Sequence, residues 1–119
     1  MKIEASQSNE VLIVRAVGSL DVHGAHEFAK QLQGQCRPDL RKMILDFSDM
    51  DMLGSAGLRV LYLLSKKAES LRARVVVVGL QPEVREVFDN SGFVALYKIL
   101  GSVEEGLNLL NCTPGLLLF

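Results

Sequence analysis

Short apolar runs alternate along the chain with stretches in which apolar residues recur at helical spacing. The runs at residues 10–17, 42–47 and 74–80 consist mainly of apolar residues, and Val is prominent in the first and the last. Such runs are typical of strands buried on both faces of a sheet. Residues 2–6 and 95–99 are weaker strand segments, and the first of them is predicted to lie at an edge. The pattern therefore predicts a sheet of about four to five strands.

Apolar residues every three or four positions predict a helix after each of the first two long runs. The first helix, about fifteen residues long, is capped by Asp21. Its apolar stripe is Ala25, Phe28, Ala29, Leu32 and Cys36. The second helix spans residues 56–71, after a predicted turn at 48–53. Its stripe is Leu58, Leu61, Tyr62, Leu64 (or Ser65) and Ala68.

Two further helices have start signals of their own. Pro82 is permitted in the first turn of a helix that follows the strand at 74–80. Ser102 and Glu105 match a capping box for a last helix. Strands that alternate with about four helices predict an α/β fold with right-handed crossovers.

Composition limits the classes of function. Of 119 residues, 49% are hydrophobic and 23% charged, which is enough apolar material for one compact core. The net charge of −1 provides no basic field for nucleic acid or an anionic membrane. No segment resembles a signal peptide or a membrane span, so a cytoplasmic protein without membrane insertion is expected. Cys36 and Cys112 have no metal-ligand spacing and are expected to be free thiols.

The stretch 54–57, Gly-Ser-Ala-Gly, carries the most distinctive chemistry. Ser55 lies between the predicted strand at 42–47 and the second helix, where an N-cap belongs. The helix dipole tolerates negative charge there, so a phosphate on Ser55 would not unfold the helix. Gly57 lies in the first turn, where glycine costs about 1 kcal/mol relative to alanine. It either leaves the serine accessible to another protein or lets the helix pack tightly on the sheet.

Two catalytic alternatives are weak. Ser55, His23 and Asp21 could form a triad, but the sequence lacks the Gly-x-Ser-x-Gly elbow and an evident oxyanion loop. Asp21, His23, His26 and Glu27 could hold a metal, but two histidines with loosely placed carboxylates fit a solvated helix start better. No nucleotide-binding glycine motif occurs. We therefore expect a protein that is not an enzyme and that needs no cofactor.

Three motifs in order carry a family resemblance. Residues 54–58 resemble the Asp-Ser-(Ser/Thr/Ala)-Gly-Leu motif of STAS domains of the bacterial anti-sigma factor antagonist type, with Gly54 in place of the aspartate. Residues 18–21 match a Gly-x-Leu-Asp run, and residues 82–93 resemble the penultimate helix and the turn that follows it. The resemblance implies a STAS domain at residues 1–110 with an antiparallel edge strand, and therefore a mixed, mostly parallel sheet. The apolar tail at 111–119 has no assigned role.

The resemblance also implies a function. An unphosphorylated domain of this type binds an anti-sigma factor that is a serine kinase, and this releases a sigma factor. Phosphorylation of the residue matching Ser55 reverses the binding, with ATP as the kinase's cofactor, and a serine phosphatase resets it. Asp21 is the acidic neighbour that orients the acceptor. The implied partner contacts are Gly54, Ala56, Gly57 and Leu58, and Arg59 is either a rim contact or solvent-facing.

Gly54 leaves open whether Ser55 is phosphorylated, because Asp51 is the nearest upstream carboxylate. The alternative is a STAS scaffold or interaction module of a transport-related complex, in which the serine only caps its helix.

Overall fold

The computed structural model describes residues 1–111. Strands and helices alternate along them, with a 3-10 turn at Phe93–Ala95. The strands are β1 (Lys2–Ser8), β2 (Val11–Leu20), β3 (Lys42–Asp46), β4 (Met50–Leu53), β5 (Arg74–Val78) and β6 (Lys98–Leu100). The helices are α1 (Val22–Gln35), α2 (Ser55–Leu71), α3 (Pro82–Ser91) and α4 (Val103–Leu110).

The sheet is mixed and mostly parallel, as predicted. Its order is β1-β2-β3-β5-β6, and β4 pairs with β2 outside this path. Only β1, at the edge, pairs antiparallel among the strands described. The sheet has six strands rather than four to five. The additional strand is β4, in the segment predicted as a turn, because its four residues are too few to give an alternating pattern that stands out.

Strand β2 is longer than predicted and pairs with two neighbours on one side. Its first half is parallel to β3, and its last residues, from Gly18 to Leu20, are parallel to β4. The register shifts between Gly18 and Ser19, and Gly18 has φ +109°, a conformation that favours glycine. The irregularity lets β2 continue to Leu20, and α1 begins two residues later.

Helices cover both faces of the sheet, which gives two apolar clusters. On one face, α1, α2 and α3 bury Phe28, Leu61 and Phe88 against the strands. On the other face, α4 buries Leu110 against Ile44 and its neighbours. The long predicted runs are therefore buried on both faces, as expected for central strands.

The predicted helix starts are largely confirmed. Asp21 caps α1, α3 begins at Pro82, and the Ser102 hydroxyl accepts a hydrogen bond from the Glu105 N–H at 3.2 Å. The stripe of α2 was partly wrong, because Tyr62 is 45% exposed. The buried positions of α2 are Gly57, Leu61, Leu64 and Ala68. Leu61, Leu64 and Ala68 belong to the predicted stripe, whereas Gly57 is buried in place of Leu58 and Tyr62 faces solvent.

The last strand begins at Lys98 rather than 95, because the 3-10 turn occupies the preceding residues. None of the helices in the described residues is long and apolar enough to cross a membrane. Cys112 and most of the predicted tail at 111–119 lie outside the described residues.

Candidate functional site

Helices α1 and α2 begin side by side at one edge of the sheet. Leu20 ends β2, Leu53 ends β4, and the two residues are register partners in a parallel pair. The Gly54 N–H donates to the Leu20 carbonyl at 3.0 Å, which extends the pairing by one step. Each strand then passes directly into its helix, so both helix N-termini face the same solvent.

Ser55 is the first residue of α2, and the prediction that it is the N-cap was wrong. The N-cap is Gly54, which has an extended backbone and whose carbonyl accepts from the Leu58 N–H at 3.1 Å. The pairing of Gly54 with Leu20 holds Gly54 in that extended conformation. The Ser55 side chain is exposed, and it makes no side-chain hydrogen bond within residues 1–111.

Among residues 1–111, no side chain or loop carbonyl accepts from the first N–H groups of α2. The first N–H groups of a helix have no intrahelical acceptor, and Gly54 has no side chain that could supply one. The positive end of the helix dipole lies at the same place. An anionic group on Ser55 would therefore meet free N–H groups and a favourable field.

Asp21 caps α1 as predicted. Its Oδ1 accepts from the Gly24 N–H at 2.8 Å, and this hydrogen bond is the main reason why the pKa of the carboxyl is lowered. The nearby His23 contributes in the same direction. Asp21 therefore remains ionised next to the start of α2.

Gly57 is buried. The structure shows whether this glycine leaves Ser55 accessible or lets α2 pack tightly on the sheet. A Cβ on Gly57 would lie 2.6 Å from Leu20 Cγ and 2.8 Å from Leu53 Cδ1. Real Cβ atoms essentially never come this close to a neighbour, so a side chain at Gly57 would force Leu20, Leu53 or α2 itself to move. Gly57 thus serves tight packing on the sheet and is not itself part of the exposed surface.

The other predicted contact residues differ in how far they are exposed to solvent. Arg59 is exposed, and Gly54, Ala56 and Leu58 are half-buried. Asp51 lies on β4, where its carboxylate accepts from the Ser19 hydroxyl at 2.8 Å.

Two exposed apolar residues near Ser55 were missed. Val22, the first residue of α1, is 73% exposed, and Met52 on β4 is 42% exposed. Val22 could have been noticed as an apolar residue directly after a cap. Met52 could not, because its strand was predicted as a turn. Exposed apolar side chains grouped at one place on a surface are typical of interaction sites.

The residues of the weak catalytic alternatives are not joined into a working site in residues 1–111. Asp21 is bound to a backbone N–H, and no hydrogen bond connects Ser55 with His23. Within those residues, no group of three or more His, Cys, Asp or Glu side chains could hold a metal ion.

Comparisons with known proteins agree with this geometry. A family model described as STAS domain matches residues 2–106. A Bordetella bronchiseptica protein named "Putative anti-sigma factor antagonist BtrV" is 32% identical over 104 residues, covering 87% of this chain and 90% of that protein.

Two solved structures have the same fold. The anti-sigma factor antagonist SpoIIAA in its unphosphorylated form gives a TM-score of 0.81 at 18% identity, covering 94% of this chain and 98% of that one. The Bacillus cell fate determinant SpoIIAA in its phosphorylated form gives 0.73 at 18% identity, covering 92% and 100%.

Proposed function

This chain belongs to the STAS domain family, among the anti-sigma factor antagonists, and from that premise we propose that its binding is switched by phosphorylation of Ser55. Unphosphorylated protein binds an anti-sigma factor that is also a serine kinase, and the sigma factor is released. The kinase transfers phosphate from ATP to the Ser55 hydroxyl and binding ends. A serine phosphatase restores the hydroxyl.

The observation that carries the proposal is the exposed Ser55 hydroxyl at the first position of α2, with Val22 and Met52 exposed nearby. A kinase can reach the hydroxyl without unfolding the helix. A partner can bury the apolar side chains, which gains roughly 25 cal/mol for each Å² of apolar surface covered.

Phosphate would act on binding rather than on folding. It adds a charge of about −1.5 to −2, and the free N–H groups at the start of α2 and the helix dipole accommodate it in the unbound protein. In a complex the same charge would be desolvated beside apolar residues. A cost of roughly 3 kcal/mol would weaken binding about a hundredfold.

Asp21 is the acidic N-cap of the neighbouring helix α1. We assign it the role of orienting the Ser55 hydroxyl for phosphorylation. Its carboxylate is fixed by the Gly24 N–H and stays ionised. Gly54, Ala56 and Leu58 form the centre of the contact surface, Arg59 lies at its rim, and Gly57 keeps α2 close to the sheet.

Gly54 replaces the aspartate of the motif, and sterically it does not have to be glycine. A Cβ there would meet the Leu20 carbonyl oxygen at 3.6 Å and Met52 Sδ at 3.8 Å, which are ordinary contacts. Its φ of −96° is open to any residue. We therefore propose that Gly54 adjusts which kinase recognises the site and that Ser55 is still the acceptor.

The test compares Ser55→Ala and Ser55→Asp as baits in lysate of the native host, with captured proteins identified by mass spectrometry. We expect the alanine variant to retain a kinase-like anti-sigma factor and the aspartate variant to lose it. Ser70→Asp is the matched control, because Ser70 is exposed near the other end of the same helix. It should capture like the unmodified protein.

The captured kinase is then incubated with ATP and each variant. Phosphate should appear on the unmodified protein and be absent from Ser55→Ala. Equal capture by both Ser55 variants, together with no phosphate transfer, would contradict the switch and favour the scaffold alternative.

A further inference from the structure

An open groove separate from the start of the helices lies between α1 and α2. Its volume is about 560 Å³, within the range of pockets that hold small molecules. On α1 it extends from His26 to Cys36, which corresponds to ~15 Å of helix. It begins at His26 of α1 and Val60 of α2, four residues beyond Val22 and five beyond Ser55, and Ser55 and its contact residues do not line it.

The floor of the groove is apolar. It is formed by Ala29 and Leu32 of α1 and by Val60, Leu63 and Leu64 of α2. Leu32 and Leu64 belong to the core, whereas Leu63 is 54% exposed. An apolar ligand would remove the exposed part of Leu63 from water at no cost to the packing beneath it.

The charges along the groove are all of one sign. Lys30 and Lys67 line it from opposite helices, and the lining contains no Asp or Glu. The chain as a whole has 14 acidic and 13 basic residues, so this local excess of positive charge is a property of the groove. A ligand that matches it has an apolar body and one anionic end.

The size of the groove distinguishes a small molecule from a protein. Ten residues line it, whereas a stable protein interface uses about 20–30 residues on each side. An alkyl chain of medium length, lying along the helices, fits both the length and the narrow apolar floor.

We propose that the groove between α1 and α2 binds an amphipathic monocarboxylate of the fatty-acid class. The alkyl chain lies on Ala29, Val60 and Leu63, and the positive charges of Lys30 and Lys67 attract the carboxylate. The proposal does not depend on phosphorylation of Ser55 or on the identity of the protein partner.

Cys36 provides the readout, because its half-buried thiol lines the groove beside Lys67. The full chain is alkylated with iodoacetamide at increasing concentrations of decanoate, and the peptide that contains Cys36 is quantified by mass. We expect decanoate, up to ~1 mM, to slow alkylation of Cys36 several-fold and to saturate. Glutathione in the same tube reports any effect on the reagent itself.

Two comparisons test the chemistry of the site. The double variant Lys30→Glu with Lys67→Glu should weaken decanoate binding about tenfold or more. Lys66→Glu is the matched control, because Lys66 is next to Lys67 on α2 but does not line the groove. It should change binding by less than about twofold. Decyltrimethylammonium, with the same tail and a cationic head, should not protect Cys36.

Equal weakening by Lys66→Glu and by the double variant would overturn the proposal, as would equal protection by the cationic surfactant. Absence of any protection by decanoate would overturn it as well. Circular dichroism of each variant verifies that the charge changes leave the fold intact.

Discussion

The starts of α1 and α2 are built alike but differ at the N-cap and at the first helical residue. Each helix begins directly beyond the end of one of two paired strands, and each has a buried glycine at its third residue, Gly24 in α1 and Gly57 in α2. The N-cap of α1 is Asp21, whose carboxylate binds an N–H of the first turn. The N-cap of α2 is Gly54, which has no side chain.

The difference explains why the proposed phosphorylation site is at the start of α2 and not of α1. In α1 the carboxylate already supplies a negative charge and an acceptor, and an apolar residue, Val22, comes first. In α2 the N-cap supplies neither a negative charge nor a side-chain acceptor, and the first helical residue, Ser55, has a hydroxyl. A phosphate on Ser55 would supply what Asp21 supplies in α1, so the start of α2 is suited to acquire and lose a negative charge.

The two buried glycines give the largest expected effects on stability. A Cβ on Gly24 would lie 2.3 Å from the Ser19 carbonyl oxygen, which is backbone and cannot move away alone. We expect Gly24→Ala to lower the free energy of unfolding by roughly 2–3 kcal/mol, measured by urea denaturation. Gly34→Ala is the control, because Gly34 lies in the same helix with open space around it. It should raise stability by up to about 1 kcal/mol.

Gly57→Ala should cost less, about 1 kcal/mol, because its neighbours are leucine side-chain atoms rather than backbone. A second substitution, Leu20→Ala, removes the Leu20 Cγ and Cδ2 atoms that the new Cβ would meet. We expect the double variant to be more stable than the sum of the two single changes predicts. Strict additivity in urea denaturation would mean that the contact of Gly57 with Leu20 does not limit the approach of α2.

Asp21→Asn separates the charge of the α1 cap from its hydrogen bond, since asparagine also caps helices well. The pKa of Asp21 is lowered in the folded protein, so the carboxylate stabilises the fold above the unfolded pKa. That contribution disappears as the pH falls through the lower, folded value. The stability difference between the two proteins should therefore be constant near neutral pH and shrink below roughly pH 4. A difference that does not change with pH would contradict the assignment.

Gly54→Asp makes the start of α2 resemble that of α1 and should have the smallest effect on stability. A side-chain acceptor at the N-cap should add a few tenths of a kcal/mol. Gly54→Ala, which adds a Cβ without an acceptor, should lower stability, and thermal unfolding distinguishes the two. A loss of stability in both variants would indicate that the backbone at position 54 requires glycine.

Local patterns predicted much of the fold and part of the site. The apolar runs identified the three central strands, and Asp21, Pro82 and Ser102 marked helix starts that the structure confirms. These features depend on residues within a few positions of one another. The position of Ser55 was predicted only to within one residue, because its helix start is determined by the pairing of Gly54 with Leu20.

By itself the sequence determined the α/β order of elements, the family resemblance and the segment that carries Ser55, because periodicity, capping and motifs are properties of neighbouring residues. Only the tertiary structure revealed β4, the packing role of Gly57 and the exposure of Val22 and Met52 beside Ser55. Each of these depends on how segments distant in sequence approach one another. Leu20 and Leu53 meet only when the sheet forms, and that meeting brings the two helix starts together.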